Sequence, residues 1–222
     1  MIILHLNCSP RGEFAESNRL AQSIINFLLG SEPAATVITR ALGTGTIPQI
    51  DTPYATTLGA SQASLVELFP EGSMALSEQL IQELESADVV VIGTPMHNFT
   101  VPSALKAWID HIVRVRRTFN ITSEGYIGKL RDRPVFVAIS SGAKFSGEHA
   151  RQPDFLTPYL TTVLEIIGLR DVTFFSVQGT SANADALAEI RMKTDQVLQA
   201  YFSRFALHRG FAWGGRQDHG LT

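Results

Sequence analysis

The sequence holds one cysteine in 222 residues, Cys8, so it can form neither an internal disulfide nor a cysteine-built metal site. It also lacks any apolar run approaching the length of a bilayer span. Met1 leads into a strand-like run without a charged leader region, so a soluble, cytoplasmic protein with no membrane association is expected. Charge of one sign is scarce: a formal charge of −3 leaves no footprint for nucleic acid. The local cluster Arg114, Arg116 and Arg117 reads as an ordinary helix C-terminus. Several chemical signatures are missing as well. Neither G-x-x-x-x-G-K-S/T nor G-x-G-x-x-G occurs, which excludes a P-loop triphosphate site and a dinucleotide fingerprint. There is no G-x-S-x-G elbow and no H-E-x-x-H pair. A thiol phosphatase would need arginine six positions after its cysteine; that position is Phe14, so Cys8 reads as a small buried filler at a strand end.

What is present suits one substantial core, with 45% hydrophobic residues and no repeats. A single domain over residues 1–208 is expected, followed by a Gly-rich, mobile tail over 209–222 that includes the unassigned Trp213. The chain is organised around residues 88–113. Val89, Val90, Val91 and Ile92 form an unbroken β-branched run, the pattern of a parallel strand buried on both faces. Gly93, Thr94, Pro95 and Asn98 punctuate its end, and Pro102 with Ser103 starts a helix whose Leu105, Trp108, Ile109 and Ile112 share one face. A run of Pro95, Met96, His97, Asn98 and Phe99 is a poor choice for a solvated connection, and at the end of an α/β strand it reads as a binding loop. The plainer alternative is that Met96, His97 and Phe99 plug the sheet end.

Further strands are expected over residues 2–6, 35–41, 134–139 and 172–177. Helices are expected from near Ser17 and Asn18 to Gly30, through Leu76–Leu84, from Tyr159 to Gly168, and over 183–206. Residues 43–71 read as an excursion containing a short helix over 61–69, residues 118–133 as a surface excursion, and 143–153 as a loop. Five strands alternating with helices predict an α/β, flavodoxin-like, doubly wound parallel sheet of order 2-1-3-4-5 with helices on both faces. In that order the loops after strands one, three and four open onto one crevice. The first carries Ser9, Arg11, Ser17 and Asn18 around a helix N-terminus, a setting that favours one phosphate, although Ser17 or Asn18 could serve only as an N-cap. Without an acid, base, nucleophile or metal constellation, the chemistry points to a bound cofactor.

In combination, Asn7-Cys-Ser-Pro-Arg11, Glu16-Ser-Asn-Arg-Leu20, Pro95-Met-His-Asn-Phe99, Pro102-Ser-Ala-Leu-Lys-Ala-Trp-Ile-Asp110, Arg117-Thr-Phe119 and Thr157-Pro-Tyr-Leu160 resemble the FMN-dependent NADH-azoreductase family over residues 2–179. The resemblance implies a homodimer with one FMN per subunit. It further implies that NADH or NADPH is the reductant, that quinones or azo compounds are the acceptors, and that both subunits line each site. It assigns the FMN phosphate to Ser9, Arg11, Ser17 and the amides around Ala15, Glu16 and Asn18. The flavin ring would lie against Pro95, Met96, His97, Asn98 and Phe99, with Ser140, Ser141, Gly142 and Ala143 on its other edge and Phe119 and Phe145 lining the substrate space. Ala15, His97 and Ala143 depart from the family's usual Ser, Tyr and second Gly, and these departures touch substrate preference rather than fold. The expected reaction is a ping-pong NAD(P)H:quinone or azo reduction with no catalytic protein side chain. Alternatives are a nitroaromatic reductase, an FMN electron carrier, or a ligand sensor of the same form.

Overall fold

The computed structural model describes residues 1–45, 47–59 and 72–208. The helix expected over 61–69 and the tail at 209–222 lie outside the described residues. The first half of the chain runs β1 (Ile2–Asn7), α1 (Glu16–Ser31), β2 (Thr36–Ala41), α2 (Thr52–Gly59), α3 (Gly72–Ser86) and β3 (Val89–Pro95). The second half runs α4 (Ser103–Ile112), β4 (Phe119–Thr122), β5 (Gly125–Gly128), β6 (Val135–Ser141), α5 (Leu156–Ile167), β7 (Val172–Gln178) and α6 (Ala184–His208).

Five parallel strands form one sheet in the order β2-β1-β3-β6-β7, which is the expected 2-1-3-4-5 once the separate β4–β5 hairpin is set aside. Burial explains the composition of each strand. β3 and β6 are inside the sheet and read as near-continuous apolar runs, whereas edge strand β2, TVITRA, is at best half-buried at every position. Side chains alternate between two apolar layers. Leu4, Leu6, Val90, Ile92, Val137 and Ile139 face α3, α4 and α5; Ile3, Val89, Val91, Phe136 and Ala138 face α1 and α6. On the second face, Phe136 and Phe175 of the sheet meet Tyr201 and Phe202 of α6 in a set of ring contacts, with Phe136 and Phe202 centroids 5.2 Å apart.

Five expectations need correction. Helix α1 begins at Glu16 with Ala15 as its N-cap, so neither Ser17 nor Asn18 caps it. Gly30 does not end that helix, because the Glu32 amide still donates to the Leu28 carbonyl at 2.9 Å; Gly168, at φ 107°, does end α5. Ser140 and Ser141 belong to β6, whose pairing with β7 continues to Ser141 opposite Gln178. Residues 118–133 contain a true antiparallel hairpin, turned through Gly125 at φ 122°. Within the excursion before α3, helix α2 starts on signals the sequence does carry: the Asp51 carboxylate accepts from the Tyr54 amide at 2.8 Å, and Pro53 fills the first turn. The cluster after α4 is a tie to α3 rather than a bare helix end, since Arg114 and Arg117 both pair with Glu78.

Candidate functional site

The crevice is built where β1, β3 and β6 end side by side, with Asn7 opposite Gly93 and Pro95 opposite Ser140. After β1, Cys8 and Ser9 are buried, and Ser9 knots the turn: its hydroxyl accepts the Arg11 amide at 3.2 Å and its carbonyl accepts the Gly12 amide at 3.1 Å. Gly43 presses against this turn so closely that a Cβ there would stand 2.0 Å from the Ser9 carbonyl oxygen. Burial pushes the Cys8 thiol far above its ordinary pKa, which removes it as a nucleophile.

The start of α1 is left open to a ligand. Ala15 offers no side-chain cap, and the first helical bond is Arg19 N–H to the Ala15 carbonyl at 2.9 Å, so the Glu16, Ser17 and Asn18 amides precede the hydrogen-bond ladder. Ser17 is fully buried and its hydroxyl has no partner among the described residues. A buried polar atom costs free energy unless something completes it. The site therefore fits an oxyanion carrying several acceptor oxygens, such as a phosphate monoester. The helix reaches the sheet end because Gly93 has no side chain: a Cβ there would be 3.1 Å from both Ala21 Cβ and the Ser17 carbonyl. Glu16 contributes only its amide to the opening. Its carboxylate is held by Arg191 of α6 and by Arg19, hydrogen bonding to Arg191 being the main cause of its lowered pKa. Arg11 is exposed beside the turn.

After β3, the Met96 amide donates to the Ser140 carbonyl at 2.8 Å, and His97 and Thr100 exchange backbone bonds at 3.0 Å. The two residues between them, Asn98 and Phe99, have φ of 49° and 70°, a left-handed pair that non-glycine residues seldom adopt. His97, Asn98 and Phe99 are exposed, so they do not plug the sheet end. The turn is tied to α5 by the Phe155 amide, which donates to the Phe99 carbonyl at 3.0 Å.

After β6, Ser140 is buried and the Ser141 hydroxyl is turned inward, donating to the Ala143 carbonyl and accepting from Gln152, both at 2.6 Å. Gly142 is exposed and Ala143 half-buried. The two rings expected at the substrate are placed in the core: Phe119 is 9% exposed and Phe145 8%, and both pack within the apolar layer of α3, α4 and α5. Phe119 meets Tyr126 of its own hairpin edge-on at 5.7 Å. Sequence reasoning missed Gly43, Arg191, Gln152 and Gln178, none of which carries a motif.

Residues 1–202 match the family model described as flavodoxin-like fold. This chain belongs to that flavodoxin-like family. Among its curated relatives, the FMN-dependent NADH:quinone oxidoreductase 4 of Pseudomonas fluorescens is 45% identical over 177 residues, covering 80% of this chain and 84% of the relative. The FMN-dependent NADH:quinone oxidoreductase 5 of Burkholderia lata is 44% identical over 189 residues, covering 85% and 90%. Among flavodoxin-like structures, an FMN-dependent NADH-azoreductase from Bacillus anthracis, solved with FMN, superposes with a TM-score of 0.77 at 23% identity over 93% of this chain and all of that one. That likeness supports the fold. Among the described residues, no helix of this flavodoxin-like chain is long and apolar enough to cross a membrane.

Proposed function

We propose that this protein is an FMN-dependent oxidoreductase that uses NADH or NADPH to reduce quinones and azo compounds in two successive half-reactions at one crevice. The observation that carries the reading is the open start of α1, with its buried, unpartnered Ser17 hydroxyl, in a chain whose relatives at 44–45% identity are named FMN-dependent NADH:quinone oxidoreductases. Bound FMN would supply the redox chemistry, taking a hydride equivalent from the nicotinamide and giving it to the acceptor. The chain supplies binding and orientation. Ser9, Ser17 and the amides of Glu16 and Asn18 hold the phosphate, and Arg191 with Arg19 offsets the Glu16 carboxylate, which would otherwise repel it. The turn from Pro95 to Phe99 forms one wall of the ring site and the backbone from Ser140 to Ala143 the other, with donors fixed before the ligand arrives.

A homodimer is part of the same reading. Phe99 and Phe155, 44% and 59% exposed, are joined by a backbone bond beside the crevice, and the β4–β5 hairpin exposes Ile121, Tyr126 and Ile127. These apolar groups suit a second copy closing over the crevice. A soluble, cytoplasmic setting fits NAD(P)H as reductant. The test is anaerobic mixing of the FMN-loaded protein with NADH. The enzyme is expected to bleach rapidly and to regain its colour with a quinone. An FMN protein that bleaches only with a protein donor is a carrier, and one that binds no FMN overturns the reading.

A further inference from the structure

Residues 142–155 form a long connection without helix or strand, of the kind that often serves as a moving flap. This one is fastened instead. At its neck the Arg151 amide donates to the Lys144 carbonyl at 2.8 Å, and at its tip the Ala150 amide donates to the Gly147 carbonyl at 3.1 Å. Phe145 anchors it in the core. The strongest fastening comes from outside the loop, at the last residue of β7. Gln178 Oε1 accepts the amides of both Phe145 and Ser146, at 2.8 and 3.1 Å. Its Nε2 donates to Ser146 Oγ and Ser176 Oγ, at 2.6 and 2.9 Å. Both ends of one amide side chain are thus committed to holding two residues of the loop against β7. From the far end, Gln152 Nε2 reaches back to Ser141 Oγ at 2.6 Å and Met96 Sδ at 3.2 Å, joining this loop to the turn after β3. Among the described residues the amides of Gly142, Ala143 and Lys144 keep no acceptor, as do those of Gly147, Glu148, His149, Gln152 and Asp154; the first three stand immediately after β6, at the crevice end of the loop.

We propose that Gln178 is a positioning residue for the flavin site. By fixing Phe145 and Ser146 it makes the Gly142–Lys144 backbone a rigid row of donors rather than a flap, and Gln152 secures the other end. This rests on the FMN reading above but concerns residues that the reading does not need. A donor row held in place before binding spares the ordering cost that a loose loop would add. The chemistry of the clamp also says which replacement will work. In Gln178→Glu, the carboxylate accepts the same two amides more strongly, and the Ser146 and Ser176 hydroxyls can rotate to donate to it. Gln178→Leu keeps the bulk and loses all four bonds.

The test measures amide exchange at Phe145 and Ser146 in the apoprotein, together with FMN dissociation constants, for the parent, Gln178→Leu, Gln178→Glu and Gln178→Asn. Asn carries the same group one methylene short and serves if the leucine variant does not fold. Exchange in the Leu and Asn variants is expected to rise about ten-fold or more, and FMN binding to weaken by a similar factor, with Gln178→Glu restoring both. Parent-like exchange in Gln178→Leu or Gln178→Asn would show there is no clamp. Faster exchange with unchanged FMN affinity would make Gln178 a purely structural residue, and failure of Gln178→Glu to restore binding would remove the donor-row role. A parent protein that binds no FMN would overturn the functional reading itself, a result the three variants are not needed to see.

Discussion

Among the described residues four side chains carry a buried polar atom without a partner, on Ser17, His5, Arg19 and His111, and the first two have opposite meanings. The Ser17 hydroxyl lies at the open start of α1, where a ligand would complete it. Since no hydrogen bond is lost in the free protein, Ser17→Ala is expected to leave apoprotein stability unchanged or slightly raised, while weakening FMN binding by about 1–3 kcal/mol. Urea unfolding of the apoprotein and FMN titration check the two halves, and equal losses in both would make Ser17 structural. His5 lies on β1, 4% exposed, with Nδ1 3.3 Å from Thr39 Oγ1 and Nε2 unpartnered. Burial lowers its pKa to about 4, so the folded chain holds it neutral. The unfolded chain takes up a proton near pH 6.5, as an ordinary histidine does. The neutral form's contribution is therefore complete above about pH 6.5 and is lost as pH falls toward about 4, a loss of about 3 kcal/mol. His5→Val should remove this component, so the stability gap between parent and variant is expected to move in the variant's favour between pH 7.5 and 5. A constant gap would count against the buried neutral histidine.

At the scale of elements, glycine position decides the shape of the first loop. Gly43→Ala puts a methyl against the Ser9 carbonyl, backbone on backbone, and the turn that holds Ser9 must move. FMN affinity is expected to fall more than ten-fold while far-UV circular dichroism stays parental. Gly45→Ala is the control: Gly45 has φ 75° and open space around it, so substitution costs about 1 kcal/mol of backbone strain and leaves FMN binding alone. Legibility differed by element for physical reasons. β3 and β6 could be read from uninterrupted apolar runs because both of their faces are covered. The β4–β5 hairpin has four residues per strand and mostly exposed positions, too short a pattern to read. The start of α1 was misplaced because its cap is an alanine, which sends no capping signal; that silence is what leaves the amides free. The three crevice loops were legible from topology. Gln178 was not, because nothing in a sequence tells a strand-end glutamine that grips a neighbouring loop from one that faces water.

Over the whole molecule, α6 is the element that joins the sheet to the first loop. Its Phe202 stacks on Phe27 of α1 at 5.2 Å and meets Phe136 and Phe175 of the sheet. Phe202→Ala is expected to cost about 3–5 kcal/mol, seen as a lower urea midpoint with an unchanged slope. A destabilisation well under 1 kcal/mol would mean that α6 is held elsewhere. From the same helix Arg191 reaches Glu16 and Asp195 reaches Arg19, both in the first turn of α1. That pairing sets an order in time. Among the described elements the turn around Ser9 is made early and α6 last, so that loop waits for the final described helix to receive its full set of contacts. A nascent chain halted before α6 would carry Glu16 without its Arg191 counter-charge, and the open start of α1 would mature only once α6 has been made.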